Sequence, residues 1–471
     1  MMKTNAKKLF TVLTFSSFVS IAILALALMS NHSASAKTEL SSLNTATSTA
    51  ASASAVSAAA QTTGIIMPRT AIYALDTDNT IFVLWPGTTT FVRLFRVADA
   101  PVDGNLIGID ARAADGNNNQ LYAVTDTGKI YTIGLNGVNQ GKATLISTMT
   151  GVPKFSAGYQ SLMDFNPVVN ALRLIGTDTQ NYAVVNTAGN LATTAVQTSL
   201  TYNTADVNAG KTPRVGSGAY NNNFNGATAT IFYAFDHNLD TMCTIDPAAA
   251  GGSSATGGGV LRTIGPLVTP TGGRVKLAPT SDCDIYTLSN GTNRLVGVSG
   301  RTFFTVDLAQ ATPATALGTQ KNIVVNGIAT NADTGGRFID VAASLVTYEA
   351  ENATQGGGNI VDSSIPGFTG TAFVNFADNV AGGFTEFQVN QSGVVTLVFR
   401  YANGSTNNRA CNVTVNGVAA GTATFPPTGS FNTYGTTSFS VNLGLTNGFK
   451  ALRFTSATAN GGPNLDNMGV N

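Results

Sequence analysis

Short apolar runs, each closed by a polar or glycine-rich turn, recur from residue 65 to residue 343. Runs of about four to eight residues bounded by Gly, Asn and Asp are strand signals. A repeating unit is visible: a Gly- or Asn-containing apolar run, a Tyr-bearing strand, a polar turn and another strand. It occurs at residues 106–110 followed by 120–124 and 129–133, and again around Met163-Asp164-Phe165-Asn166-Pro167 with 172–175. Further copies start near Gly218, with 231–235, and near Val275, with 284–288. Residues 325–329 resemble the opening strand of one more copy. The period is roughly 50 residues, within the range of propeller blades. The strands near 72–75 and 81–84 lack an opening strand, which the C-terminal copy can supply by closing the ring. The pattern therefore predicts an all-β protein with a propeller-like N-terminal domain of about five blades, or six, over residues 65–343. An irregular sandwich is the competing reading.

From residue 345 the pattern changes to cleaner period-two alternation, at 394–400, 411–415, 438–443 and 451–454. Asn416-Gly417 is a tight hairpin signal. Residues 345–471 are expected to form a two-sheet, jelly-roll β-sandwich. Upstream, Lys3, Lys7 and Lys8 precede an apolar run over residues 9–29, and Ala34-Ser35-Ala36 offers a small-residue cleavage site. Residues 1–36 read as a signal peptide, with an uncleaved anchor as the rival. No cysteine follows the apolar run, which argues against a lipoprotein. Residues 37–64 are a Ser/Thr/Ala linker without periodicity. With no second hydrophobic span, the cleaved product is expected to be secreted, extracellular or at the cell surface, with the periplasm as a further compartment, and without membrane association.

The repeat region resembles the bacterial family DUF4394, a domain of unknown function, at Leu106-Ile107-Gly108-Ile109-Asp110, Gln120-Leu121-Tyr122-Ala123, Asp164-Phe165-Asn166-Pro167 and Thr230-Ile231-Phe232-Tyr233-Ala234-Phe235-Asp236. That resemblance implies a fold and no activity. The C-terminal segment resembles carbohydrate-binding modules of families 6 and 35. The resemblance rests on four stretches in order along the segment: Tyr348-Glu349-Ala350-Glu351-Asn352, Thr371-Ala372-Phe373-Val374-Asn375-Phe376, Phe399-Arg400-Tyr401-Ala402-Asn403-Gly404 and Gly461-Gly462-Pro463-Asn464-Leu465-Asp466.

Glu349 and Glu351 are two apart, so in a strand they share a face. Two carboxylates so placed repel unless a cation or hydrogen bonds offset them, and calcium is the hard, oxygen-preferring choice. First and last strands of a sandwich are often neighbours, which brings Asp466 to the same place. The resemblance implies the same site: a structural calcium on Glu349, Glu351, Asp466 and backbone carbonyls. An exposed acidic edge is the bland alternative. For the sugar, the resemblance implies contacts from Phe373, from Phe431 or Tyr434, and from Asn464. Phe and Tyr stand here where Tyr and Trp are usual. The chain's one tryptophan, Trp85, lies outside the module. Core packing is the competing role for Phe373 and Phe431.

Composition narrows the rest. Charged residues make up 11% of the chain and the net charge is zero, so nucleic acid is not an expected partner. Glutamate occurs only at residues 39, 349, 351 and 386, so the repeat region lacks the Asp/Glu pair of ordinary glycosidases. An Asp-dependent polysaccharide hydrolase or lyase would have to draw on Asp110, Asp164, Asp236 and others, whose positions near strand ends suit turn duty better. His237, in a strand-end turn, is read as surface decoration. Arg173 is read as an anion contact or an inter-blade partner of Asp164. Cys243 and Cys283 could pair in an oxidising compartment, and Cys411 in its alternating strand reads as a buried thiol. The expected partner is a polysaccharide or other glycan. The competing classes are a propeller enzyme and a structural matrix or adhesion protein.

Overall fold

The computed structural model describes residues 66–97, 102–113, 120–135, 139–149, 161–187, 190–245, 258–288, 291–311, 319–329, 338–343, 347–377, 381–446 and 448–470. The expected signal peptide and linker, residues 1–64, lie outside them. The described residues contain strands and short 3-10 turns but no α-helix. No helix among them is long and apolar enough to cross a membrane.

Residues 66–343 form five antiparallel blades of four strands each. Leu106–Asp110, Ser161–Asn166, Val215–Tyr220 and Asp282–Thr287 open four of them. The remaining one, the first blade, is opened by Phe338–Ala343, which pairs with Ile72–Asp76, so the two ends of the region meet in one sheet. Each opening strand packs against the opening strands of the blades on either side, which makes a closed ring. Opening strands are buried along their whole length, whereas the outer strands Val92–Arg96 and Ala143–Thr148 are largely exposed. Opening strands therefore have no solvent-facing side, and the polar residues they carry, such as Asp110, Asp164 and Asp284, are buried with the rest. The fourth and fifth blades are also joined by a short parallel pairing of Leu267 and Val268 with Ile323 and Val324.

Two expectations need correction. The closing strand is Phe338–Ala343, not 325–329; the latter falls in Ile323–Ala329, the outermost strand of its blade. In the preceding copy the opening strand is Asp282–Thr287 itself, so Val275 lies in the connection before it. Both slips have one cause. In these copies the apolar runs are similar in content, and periodicity does not say which run lies at the axis. The three cysteines are free and buried, so Cys243 and Cys283 do not pair. Cys243 belongs to a middle strand of the fourth blade and Cys283 to the opening strand of the next.

At the ring the aspartates act between blades. Asp110 Oδ2 accepts the Phe165 amide at 2.8 Å, Asp164 Oδ1 the Tyr220 amide at 3.2 Å, and Asp284 Oδ2 the Ala343 amide at 2.6 Å. Asp282 Oδ2 faces the Val341 amide at 3.4 Å. In each pair the amide belongs to the opening strand of the next blade. Asp236 keeps the expected turn role, accepting from the Asn238 and Leu239 amides.

Residues 347–470 form the sandwich. One sheet runs Ile360–Asp362, Phe373–Asn375, Asn464–Val470, Val394–Ala402, Tyr434–Asn442, with Thr347–Glu349 also on Asn464–Val470. The other runs Thr354–Gly356, Phe384–Val389, Lys450–Ser456, Cys411–Val415, Val418–Ala423. Asn416 and Gly417 both have positive φ (49° and 79°), as the expected hairpin turn requires. Phe399 sits at the core, edge-on to Phe454 and Phe425 at 5.0 and 5.2 Å. The sandwich touches the first blade: Asn390 Nδ2 donates to the Tyr73 hydroxyl at 2.9 Å, and Trp85 meets Phe449 edge-on at 6.4 Å.

Closure of the ring makes Phe338 a sensitive position. It is 1% exposed and packs against Phe82 and Phe91 at 5.5 and 4.9 Å. Phe338→Ala is expected to cost roughly 3–5 kcal/mol, the usual price of deleting a buried ring. Equilibrium urea unfolding followed through the propeller-like region checks it. A loss below about 1 kcal/mol would show that the closing strand is dispensable.

Candidate functional site

The candidate site lies on the outer face of the sandwich sheet that contains both chain ends of the module. Along Val394–Ala402, side chains alternate: Leu397, Phe399 and Tyr401 enter the core, Val398 and Arg400 face outward, and Ala402 lies on their side of the sheet but is fully buried. Asn464–Val470 lies between Val394–Ala402 and Thr347–Glu349, and Glu349 is in register with Asn467. The predicted neighbourhood of the first and last strands is therefore present.

Glu349 is 3% exposed and Asp466 is fully buried. Thr369 joins them: its hydroxyl is 2.9 Å from Glu349 Oε2 and 3.2 Å from Asp466 Oδ2, and its amide donates to Asp466 Oδ1 at 2.8 Å. Glu351 Oε1 accepts the Thr371 amide at 2.7 Å, while its Oε2 is buried without a hydrogen bond. Gly370 is fixed by this loop. Its φ is +66°, and a Cβ there would lie 2.1 Å from Glu351 Oε1. The three carboxylates thus surround residues 369–371. They do not close to a set with all oxygens within 4.8 Å of one another, which among the described residues only Asp110, Asp164 and Asp284 do.

Arg400, a residue the sequence motifs contain but do not single out, supplies the counter-charge. Its guanidinium pairs with Asp466 and donates to the Gly367 carbonyl. Its signal in the sequence is a charged outward position in an otherwise apolar strand. Burial, then repulsion from Glu351, pushes the Glu349 carboxyl up to about 8. Burial also raises the Asp466 carboxyl, and Arg400 opposes that rise. A cavity of about 340 Å³ opens beside the cluster, between Glu349, Thr369 and Arg400 on the module and Phe224 and Leu288 on the propeller-like domain.

Of the residues predicted to contact sugar, Tyr434 and Asn464 are brought together. Both are in register with Ala402 on its two sides, and Asn464 is also in register with Asn375, so they form one row on the outer face. Tyr434 is half-buried, with the Arg400 guanidinium 4.3 Å from its ring centroid. Its hydroxyl is buried without a hydrogen bond, and burial pushes it up to about 12. Asn464 is 3% exposed. Phe431 is half-buried in the loop before Tyr434, packed on Gly404, with Arg409 5.1 Å from its ring. Phe373 is fully buried, 6.1 Å from Phe368, and presents no ring face to solvent.

The residues weighed for other chemistry sit as follows. Asp110, Asp164 and Asp284 come together at the ring, but none is more than 2% exposed, so a polymer has no access to them. The His237 ring nitrogens are buried, and neither bonds a side chain; burial lowers its pKa to about 4. It is not the surface decoration expected of it. Arg173 is also buried. It donates to the Tyr220 hydroxyl, Asn181 and the Gly258 carbonyl and lies over the Phe232 ring, and it is in register with Asp164 inside one blade, so it is not an inter-blade partner of that residue.

Comparison with known proteins matches two separate parts of the chain. The family described as "Domain of unknown function (DUF4394)" matches residues 86–329, and one described as "Alpha-galactosidase, CBM13 domain" matches residues 381–470. Among curated proteins, exo-beta-D-glucosaminidase of Amycolatopsis orientalis is 41% identical over 128 residues, 26% of this chain and 12% of that protein. Endo-1,4-beta-xylanase B of Cellvibrio japonicus is 35% identical over 114 residues, 23% of this chain and 18% of that protein. The chain therefore spans under a fifth of either relative. Among solved structures, a family 35 carbohydrate-binding module from Clostridium thermocellum is 38% identical, with 26% of this chain and 95% of that chain covered and a TM-score of 0.25. The C-terminal segment is thus similar to carbohydrate-binding modules.

The Arg400–Asp466 pair makes a stability prediction. Removing one partner of a buried pair leaves the other charge uncompensated, which typically costs roughly 3–5 kcal/mol. Arg400 is itself 32% exposed, so Arg400→Met is expected near the lower end, about 3 kcal/mol. Urea unfolding in chelator measures it; a neutral result would mean the pair does not hold the 367–371 loop.

Proposed function

The chain belongs to the DUF4394 family, whose description assigns no function, and we propose that this member is a secreted carbohydrate-binding protein. The module attaches it to a polysaccharide, and the propeller-like domain serves as scaffold or second recognition surface. The observation that carries this reading is the match of residues 381–470 to a family described as a CBM13 domain, within a segment that forms a complete sandwich with its own core; the 41% identity of a 128-residue stretch to part of a glucosaminidase supports it. Sugar recognition needs an apolar ring face for pyranose C–H groups and amides for hydroxyls. Tyr434 and Asn464, in one row, offer that pair. Phe431 in the adjoining loop adds a second ring.

The same reading gives the module a structural calcium ion. The donors fit: three carboxylates, two of them almost wholly buried, stand against one guanidinium, and Glu351 Oε2 has no other partner. The excess of two negative charges suits a hard divalent cation. Glu349, Glu351 and Asp466 would hold it, and it would fix the 367–371 loop beneath the sugar row.

Binding is tested with the whole chain on a glycan array and a panel of insoluble polysaccharides. Wild type is expected to be retained by at least one of them. Tyr434→Ala is expected to weaken that binding about tenfold, the equivalent of one ring contact at ~1.4 kcal/mol. Asn464→Ala is expected to act in the same direction. Folded wild-type protein that binds no glycan would sink the proposal and favour a matrix or adhesion role.

Calcium is tested separately by metal analysis. Glu351→Gln is expected to lower bound calcium by one ion per chain and to shrink the fall in Tm on chelation, since a ligand of the native state alone stabilises it. Equal calcium content in wild type and Glu351→Gln would refute this assignment.

A further inference from the structure

The axis of the propeller-like ring holds five aspartates: Asp110, Asp164, Asp282, Asp284 and Asp340, none more than 2% exposed. Their hydrogen bonds give them a register. Asp110, Asp164 and Asp284 each accept the amide that follows their counterpart in the next blade: Asp164, Ala219 and Ala342. Asp282 follows the same rule toward Val341, with Asp340 as its counterpart. Two layers result. One carries Asp110, Asp164 and Asp284, and the other carries Asp282 and Asp340.

In the first layer the three carboxylates each offer an oxygen, and these oxygens lie within 4.8 Å of one another. Calcium–oxygen distances of about 2.3–2.6 Å place opposite ligands up to about 5 Å apart. No lysine, arginine or histidine among the described residues forms an ion pair with any of the five. The second layer gives independent support. Asp282 Oδ1 and both oxygens of Asp340 are buried and make no hydrogen bond. Asp340 faces the Ile109 amide and the Asp282 carboxyl, so the two carboxyls of this layer crowd one another. It also points at the ring: Asp340 Oδ2 lies 2.8 Å from where a Cβ on Gly108 would be, in the strand that carries Asp110. The glycine leaves room for this carboxylate beside the strand that carries Asp110. Buried carboxylates without a counter-charge are costly, and either protonation or a bound cation relieves them.

We propose that the axis of the ring binds one hard divalent cation, calcium, through Asp110, Asp164 and Asp284, with Asp340 and Asp282 as adjoining donors. The donor set is all oxygen, which selects calcium or a similar ion over softer transition metals. The site is separate from the one proposed in the module. It is structural, since it lies where opening strands of different blades meet and no polymer reaches it.

The test uses the whole chain carrying Glu351→Gln, so that the module's ion does not enter the count. The protein is unfolded in urea with chelator, refolded with calcium, freed of unbound ion by gel filtration and analysed for metal. One calcium per chain is expected to remain, and refolding without calcium is expected to give a lower Tm. Adding Asp110→Asn and Asp284→Asn, which keep shape and remove charge, is expected to lower the count by one and abolish the remaining calcium dependence of Tm. A Glu351→Gln chain with no calcium overturns the proposal. So does a folded Asn variant that keeps the same count. If the Asn variant does not fold, the count in the Glu351→Gln chain decides alone: zero refutes the axial site. If Glu351→Gln leaves the module's ion in place, the decrement of one on adding the Asn substitutions is the deciding result.

Discussion

Carboxylates that accept amide protons from the neighbouring blade tie the propeller-like ring together at its axis. Opening strands of adjacent blades pack side by side, but they do not form a ladder. Their inner edges therefore present backbone donors that would be buried and unsatisfied. Asp110, Asp164 and Asp284 answer three of these donors across blade boundaries. A neutral acceptor could make the same bond. A carboxylate makes a shorter and stronger one, at the cost of bringing anions together in a low-dielectric interior. Burial raises the carboxyl pKa values of the group, to about 6 for Asp284. The geometry that closes the ring thus also creates a charge problem, and only a proton or a cation can solve it.

That constraint passes to the module through the first blade. Phe338–Ala343 closes the ring against Ile72–Asp76, and the sandwich begins at Thr347 soon after. Tyr73, on the strand that receives the closing strand, accepts from Asn390 of the sandwich. The module is therefore seated on the blade whose integrity depends on closure. Its outer sheet face turns part of its polar surface, including Glu349 and Arg400, toward Phe224 and Leu288. A scaffold that fixes this placement would also limit which approach the proposed polysaccharide could take.

Much of this was legible in the residues, for particular reasons. The sandwich strands announce themselves because one face is buried and the other is not, so Val394–Ala402 alternates cleanly. Asn416-Gly417 can be read directly because positive φ restricts the residue types. The propeller-like ring was legible as a repeat, and the need for a closing strand followed from counting. Which strand closed it was not legible: residues 325–329 and 338–343 are both short apolar runs, and only pairing distinguishes them. Turn duty was correctly read for Asp236, but Asp110 and Asp164 bond across blades, a contact of more than fifty residues' separation that local pattern cannot show. In the module, Glu349, Thr369 and Asp466 meet because the first and last strands pair. Arg400 was hidden because an outward arginine in a strand is ordinarily solvated.

The aromatic residues show how the outer face would limit the proposed sugar ligand. Phe373 is in the core, which leaves Tyr434 and Phe431 as half-buried rings. Each already has a guanidinium near it, Arg400 at 4.3 Å and Arg409 at 5.1 Å. A ring has two faces, and a cation lying over one competes with a sugar for that face. A pyranose must then stack on the opposite face or displace the arginine. Arg400 is not easily displaced, because the same guanidinium neutralises buried Asp466 and holds the Gly367 carbonyl. The proposed recognition at Tyr434 is therefore tied to the acidic cluster. Whatever fixes Glu349, Glu351 and Asp466 also fixes Arg400, and Arg400 determines which side of Tyr434 is open to a sugar.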